Sequence, residues 1–444
     1  MRTRAGRLWR GRVRERSEQD YVVGAVRRLL ATRTSSEHFT ELRVVRTPFP
    51  DSDEPKPHPV HTPPSARHRQ QYHTSRHCHP LQVRHSAFSV LPAMASTSPT
   101  TTGDHDQTQI HHLHLTPFDS LPDKRQVWTG APGSREEGLG RLVLLTPEVV
   151  ALAAASCIRS GRRVTVGWEL TKLEIANFGR QPCSHQIVPL LSGTAFDDIY
   201  TLNPQQSSQW DGLRHFSQPC PTEDDPDRRL FYGGTTKEEI VRPGDGRIGL
   251  QHWAKEGICG RGVLLDYVSY AERKGIEYST FSEHAIPLSV LLEIAAEANL
   301  TFRRGDILFV RVGVTKEWDT KMTADDKKAY AASKNPLHAG VEGTEEMLRW
   351  IWDSGFAAVA SDAISFEVYP PKKSHARPDG HDVPGLMMHE YLLAGWGMPI
   401  GELFDLEGLA ELCRRENRWD FFVASAPFNM PGGVSSPPNC IAIF

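Results

Sequence analysis

From Thr116 onward the apolar residues fall into two alternating periods, short β-branched runs and stripes at helical spacing. Thr146-Pro147-Glu148 combines a capping hydroxyl, a first-turn proline and an acid against the helix dipole. It predicts a helix through Val149–Ile158, stopped at Gly161. Arg163–Trp168 reads as a strand, as do Val263–Val268 and Ile307–Val314, the last entered through Gly305-Asp306. Pro287–Leu300 carries Leu291, Leu292, Ile294, Ala295 and Ala298 at helical spacing. Thr344-Glu345-Glu346 opens a helix with Met347, Leu348, Ile351 and Trp352 on its apolar stripe, ended by Gly355. Phe356–Ala360 is a buried strand. Met387–Trp396, Leu406–Arg415 and Trp419–Ala424 add a helix, a helix and a strand. Several strands lack an intervening helix, so the fold class is α/β with a mixed sheet rather than a purely parallel one.

The first 115 residues break this pattern. Over residues 1–94 there are 17 Lys and Arg against 8 acids, and all but Lys56 of the 17 are Arg. The remaining 350 residues carry 34 against 46, so a net charge of −3 hides a basic arm and an acidic body. Between Thr47 and Pro80 there is no hydrophobic period, and eight histidines are scattered over His38–His85, with four more over His105–His114. Residues 1–115 therefore read as a disordered Arg/His/Pro-rich extension, with a possible natural start at Met94, and residues 116–444 as the folded domain. The acidic body argues against nucleic acid, whose phosphates need clustered cations. No apolar run reaches the ~18–20 residues of a spanning helix, which argues against a membrane protein. Seven scattered cysteines without a C-x-x-C pair fit reduced thiols and a cytoplasmic location. The Arg-rich start keeps a mitochondrial one open.

Most chemical motifs fail. Gly244-Asp245-Gly246-Arg247-Ile248-Gly249 fits G-x-G-x-x-G by letter but follows Arg242-Pro243 instead of a buried strand, so no nucleotide site is read there. There is no Walker loop and no G-x-S-x-G elbow, and His389-Glu390 has Leu393 where a zincin needs its second His. Two segments stand out. Trp210-Asp211-Gly212-Leu213-Arg214-His215 sets a carboxylate and an imidazole four residues apart beside a turn-forming glycine. A carboxylate in that setting can hold a metal while the imidazole moves a proton; a surface ion pair is the alternative. His389–Glu402 offers a second His and a second carboxylate, linked by a Gly-rich turn.

Together these segments resemble the metal-dependent cyclase family that includes bacterial kynurenine formamidase and isatin hydrolase, most of all its fungal branch. The likeness spans roughly 117–444. It is carried further by Leu144–Glu148, Gly262–Tyr267, Gly305–Phe309, Ala394–Glu402 and Pro431–Asn439. The family signature is H-x-G-T-H-x-D followed by a His four residues on. Aligned on Asp211 and His215, the two signature histidines fall at Gln205 and Gln209, and Ser207-Ser208 replaces Gly-Thr.

The resemblance implies a swivelling β/β/α fold and the metal ligands Asp211, His389 and Glu402. It makes His215 the proton-transferring residue, while Gln205 and Gln209 mark a metal position stripped of its imidazoles. The implied cofactor is one divalent metal per chain, Mn or Zn. Trp210 is a candidate substrate wall, or else core packing. The implied activity is that of an arylformamidase-like hydrolase of a small amide, formamide or lactam. Its substrate is of the N-formylkynurenine type, as in tryptophan catabolism, or of the isatin type. A metal-activated water attacks the carbonyl and His215 acts as general base, then acid. The other reading is a catalytically inactive cyclase-like protein that binds a ligand or partner, favoured by the two missing imidazoles. A homodimer or higher homo-oligomer is the family's habit.

Overall fold

The computed structural model describes residues 116–371 and 386–444. The expected disorder of residues 1–115 and the start at Met94 lie outside them. In chain order, the main sheet contains β1 (Arg163–Thr165), β2 (Gln209–Asp211), β3 (Ile258–Asp266), β4 (Ile307–Arg311) and β5 (Ala358–Ser361). It continues with β6 (Ile400–Glu402), β7 (Asp420–Ser425), β8 (Ser435–Ser436) and β9 (Cys440–Ile443). Their order across the sheet is β1-β9-β7-β3-β4-β5-β6-β2-β8. The central run β3-β4-β5-β6 is parallel, and every other pairing is antiparallel. The sheet is therefore mixed, as the strand and helix pattern implies. A bridge between Gly167, just past β1, and Phe404, just past β6, curls it.

Helices cover both faces: α1 (Pro147–Cys157), α2 (Tyr267–Lys274), α3 (Leu288–Glu297), α4 (Val314–Thr320), α5 (Ala324–Ala332), α6 (Glu345–Asp353) and α7 (Glu407–Glu416). Strand alternation divides the core between the two sides. Val263 and Leu265 of β3 pack with Tyr270, Leu291 and Ile351, whereas Leu264 packs with Phe309, Leu409 and Phe421. Burial on both faces is why these strands read as continuous apolar runs.

The local expectations hold where capping or period governs. Thr146 accepts the Val149 amide at 3.4 Å and opens α1. They fail where distant groups intervene. The run expected as one strand to Val314 ends at Arg311, because the buried Asp362 carboxylate accepts the amides of Val312 (2.5 Å) and Gly313 (2.7 Å). Gly313 then turns at φ 102°, where a side chain is disfavoured, and Val314 begins α4. The helix after Met387 takes a π-helical form over Glu390–Gly395. Such turns often accompany functional sites.

Arg135–Cys157 passes for a membrane-crossing segment by length and composition alone, although charged residues interrupt its apolar stretch, as the sequence shows. Its helical path is broken around Leu145-Thr146 into separate short elements, the last of which is α1. Gly244–Gly249 follows a short helix, Lys237–Val241, rather than a strand. Its Arg247 is taken up by Glu137 (2.7 Å) and Glu239 (3.0 Å).

Candidate metal centre

The centre forms where β2 meets β6. The antiparallel register sets Glu402 opposite Gln209 and Ile400 opposite Asp211. Alternation then turns Gln209 and Asp211 to one side of β2 and Trp210 to the other. Gly401, opposite Trp210, has no room for a side chain: a Cβ there would lie 2.7 Å from the Ala360 Cβ and from the Phe404 ring. That close approach brings the two carboxylates together. His389, at the start of the π-helical turn, supplies the imidazole.

Ligand-capable atoms of Asp211, His389 and Glu402 lie within 4.8 Å of one another, and all three residues are buried. His389 Nε2 is 3.1 Å from Glu402 Oε1 and 3.9 Å from Asp211 Oδ2. His215 Nε2 stands 3.6 Å from the same Asp211 oxygen. Gln205 donates through Nε2 to Asp211 Oδ1, and Gln209 through Nε2 to Glu402 Oε2 at 2.9 Å. The two glutamines at the signature-histidine positions thus hold the two carboxylates. Among the described residues, Asp211 Oδ2 and Gln209 Oε1 are buried without a hydrogen-bond partner.

Trp210 does not line this centre. It is fully buried in the core, donates through Nε1 to Ser425 Oγ at 3.0 Å, and meets the Phe404 ring edge-on at 5.1 Å. The core-packing alternative is the one the fold adopts. The aromatic ring beside the centre is instead the half-buried Phe216, 5.3 Å from the His389 ring.

Sequence reasoning also missed Glu367. Its buried carboxylate faces His389 Nδ1 with both oxygens, at 2.9 and 2.8 Å, and accepts the His389 amide at 3.2 Å. A carboxylate-backed imidazole is the usual second support of a metal-binding histidine, fixing the ring so that Nε2 points to the centre. One signal was available: Glu367 is the single acid in the otherwise uncharged run Ala363–Val368.

The electrostatics follow from burial and proximity. Burial, then the neighbouring Asp211 charge, pushes the Glu402 carboxyl up to about 7. Burial opposes charge on His389, but the Glu367 carboxylate, joined by Glu402, outweighs it and holds the imidazole well above its ordinary range. Burial would raise Glu367, yet the His389 charge keeps it below the usual carboxylate range. His215 is pushed down by burial, against the pull of Asp211, and so stays neutral near pH 7.

The residues fit a divalent cation. An orphaned carboxylate oxygen sits in a buried Asp/His/Glu cluster, where a cation would offset the cost of burying two carboxylates side by side. The donor set of carboxylate oxygens and one imidazole suits a divalent metal.

A mixed α/β sheet thus encloses a buried Asp/His/Glu centre. Residues 123–368 match the Cyclase family model, described as "Putative cyclase", and the chain belongs to that family. His389 and Glu402 lie beyond the matched stretch. Among solved structures, one described as a novel cyclase is similar at 25% identity with a TM-score of 0.57, over 70% of this chain and 97% of that one. Isatin hydrolase A from Ralstonia solanacearum is similar at 13% identity with a TM-score of 0.42, over 63% of this chain and 91% of that one. Isatin hydrolase A from Labrenzia aggregata stands at 12% identity with a TM-score of 0.42, over 66% and 97%. No curated protein matches the chain.

Proposed function

We propose that the protein is a metal-dependent hydrolase of a small amide, formamide or lactam, arylformamidase-like, with N-formylkynurenine-type or isatin-type compounds as substrates. The observation that carries this reading is the His215 imidazole, 3.6 Å from an orphaned Asp211 oxygen, at the edge of a buried Asp/His/Glu cluster. A divalent metal held by Asp211, His389 and Glu402 supplies Lewis-acid polarisation of the carbonyl and a lowered pKa for water.

The chain's own residues do the rest. Glu367 fixes the His389 ring, and Gln205 and Gln209 orient the two carboxylates. His215, whose side chain is 22% exposed, is the proton carrier. Its Nε2 takes a proton from the attacking water and returns it to the leaving nitrogen as the C–N bond breaks. Formamide and water thus become formate and amine, and a lactam opens to an amino acid.

A second reading, a binding protein without turnover, is supported by the glutamines in place of both signature histidines. The test is turnover of N-formylkynurenine, isatin and formanilide by protein loaded with Mn²⁺ or Zn²⁺. Hydrolysis is expected with at least one, lost on chelation, and reduced by about 10²–10⁴-fold in kcat by His215→Ala with metal content retained. Metal-loaded protein that hydrolyses none of them overturns the hydrolase reading in favour of the second.

A further inference from the structure

Beside the centre lies a loop whose features the metal site does not explain. Phe178 is 52% exposed although it is a large apolar side chain, and its backbone sits at φ 61°, a region that non-glycine residues seldom occupy. The loop is not slack. Asn177 Nδ2 donates to the carbonyls of Tyr330 and Ser333, both at 2.9 Å, anchoring it to the end of α5, and Asn177 Oδ1 accepts the Phe178 amide at 2.6 Å. An exposed ring held in a disfavoured conformation by a rigid anchor is a feature found at binding sites. Phe178 meets the rings of His338 and Tyr369 edge-on at 6.2 and 6.3 Å.

Two residues on, the Arg180 guanidinium lies over the Phe178 ring at 5.2 Å. It donates one hydrogen bond, through Nη1 to the carbonyl of Gln205 at 3.3 Å. The Gln205 side chain is the one that holds Asp211. Arg180 is therefore one residue from the centre by direct contact, and half-buried. A guanidinium has five N–H donors. Among the described residues no carboxylate pairs with that of Arg180: it is absent from every ion pair, whereas Arg247, Arg261 and Arg311 are each taken up by two acids. Behind burial, which is the larger cause, its charge also lowers the proton affinity of His215 and His338.

A guanidinium without a carboxylate partner, beside a half-exposed aromatic ring, matches a planar aryl group that bears a carboxylate. We propose that Arg180 and Phe178 form a recognition element for the substrate, so that the amide cleaved at the centre belongs to the class of aryl amides carrying an anionic carboxylate. This rests on the hydrolase reading for the identity of the reaction, but the binding element is testable without it. Phe216, whose ring lies 5.3 Å from that of His389, offers a second ring for the same aryl group.

The experiment uses the metal-loaded full chain and a matched pair of probes, anthranilate and its neutral amide, 2-aminobenzamide, with affinities measured by calorimetry. Wild type is expected to favour anthranilate. Arg180→Gln should reduce that preference by on the order of 10–100-fold, the loss of a charge-assisted bidentate contact, while Arg180→Lys retains part of it. A purely structural Arg180 would weaken both probes alike and leave the ratio unchanged. A carboxylate held by the metal alone would also leave the ratio unchanged in Arg180→Gln. Either result, or failure of wild type to favour anthranilate, overturns the proposal. Turnover of N-formylanthranilate against formanilide separates the two claims. If neither is hydrolysed while the Arg180-dependent preference persists, the reaction assignment fails and the anion subsite stands.

Discussion

Glu367 commits both carboxylate oxygens to one imidazole nitrogen, and this arrangement decides how well His389 can serve as a ligand. Glu367→Gln keeps the shape but removes the charge that orients and polarises the ring. Metal affinity is expected to fall about 10–100-fold, read by metal titration, with the fold intact by circular dichroism. Unchanged affinity would show that His389 is not a ligand. His338 makes a different point. Burial, with Arg180 adding to it, pushes its imidazole down to about 3, so the native state keeps it neutral where an unfolded chain would protonate it near 6.5. The unfolded state binds the extra proton, so His338 contributes stability that is present above about pH 6.5 and lost as pH falls toward 3. Between pH 6.5 and 5 that loss is about 1–2 kcal/mol. Urea denaturation of His338→Gln should show a shallower decline over this window; an identical decline would exclude the residue as its source.

At the scale of elements, β2 does two jobs with three residues. Its outer pair, Gln209 and Asp211, serves the centre, while Trp210 locks the opposite face to Ser425 and Phe404. Trp210→Ala is therefore expected to destabilise the protein by about 3–5 kcal/mol through the cavity it leaves. A denaturation midpoint near that of wild type, with substrate affinity lost, would return Trp210 to the substrate wall. This alternation was readable once β2 was known to be a strand, but three residues in a Gln- and Ser-rich context give no period to detect. The hairpin of Ser184–Leu190 and Ala195–Thr201 escaped notice for a similar reason: its residues are exposed on both faces, so no apolar alternation marks it. Long buried elements such as β3 and the capped α1 were legible because their signals are local.

For the whole molecule, β2, β6 and the turn bearing His389 are tied through one buried centre, so metal binding to the native state alone should stabilise everything at once. At a free metal concentration about 100 times Kd the gain is about 2.7 kcal/mol. Thermal denaturation with Mn²⁺ or Zn²⁺ against chelator should show it, and Glu402→Gln should remove most of the difference. Equal melting with and without metal in wild type would count against a metal held by these three residues.

Much of the molecule follows from short-range pattern: the α/β class, the mixed sheet, the helices opened by Thr146 and Thr344, and the family likeness that singles out Asp211, His215, His389 and Glu402. These rest on period, capping and motif spacing, which a linear chain carries within itself. The fate of Trp210, the backing of His389 by Glu367, the ending of β4 at Asp362 and the approach of Arg180 to Gln205 rest on strand register and on contacts between residues from 22 to 215 apart. A one-residue change of register would exchange Trp210 for Asp211 at the centre, and no local preference of the chain chooses between those registers. The choice is made by packing, where Gly401 alone leaves room for the indole.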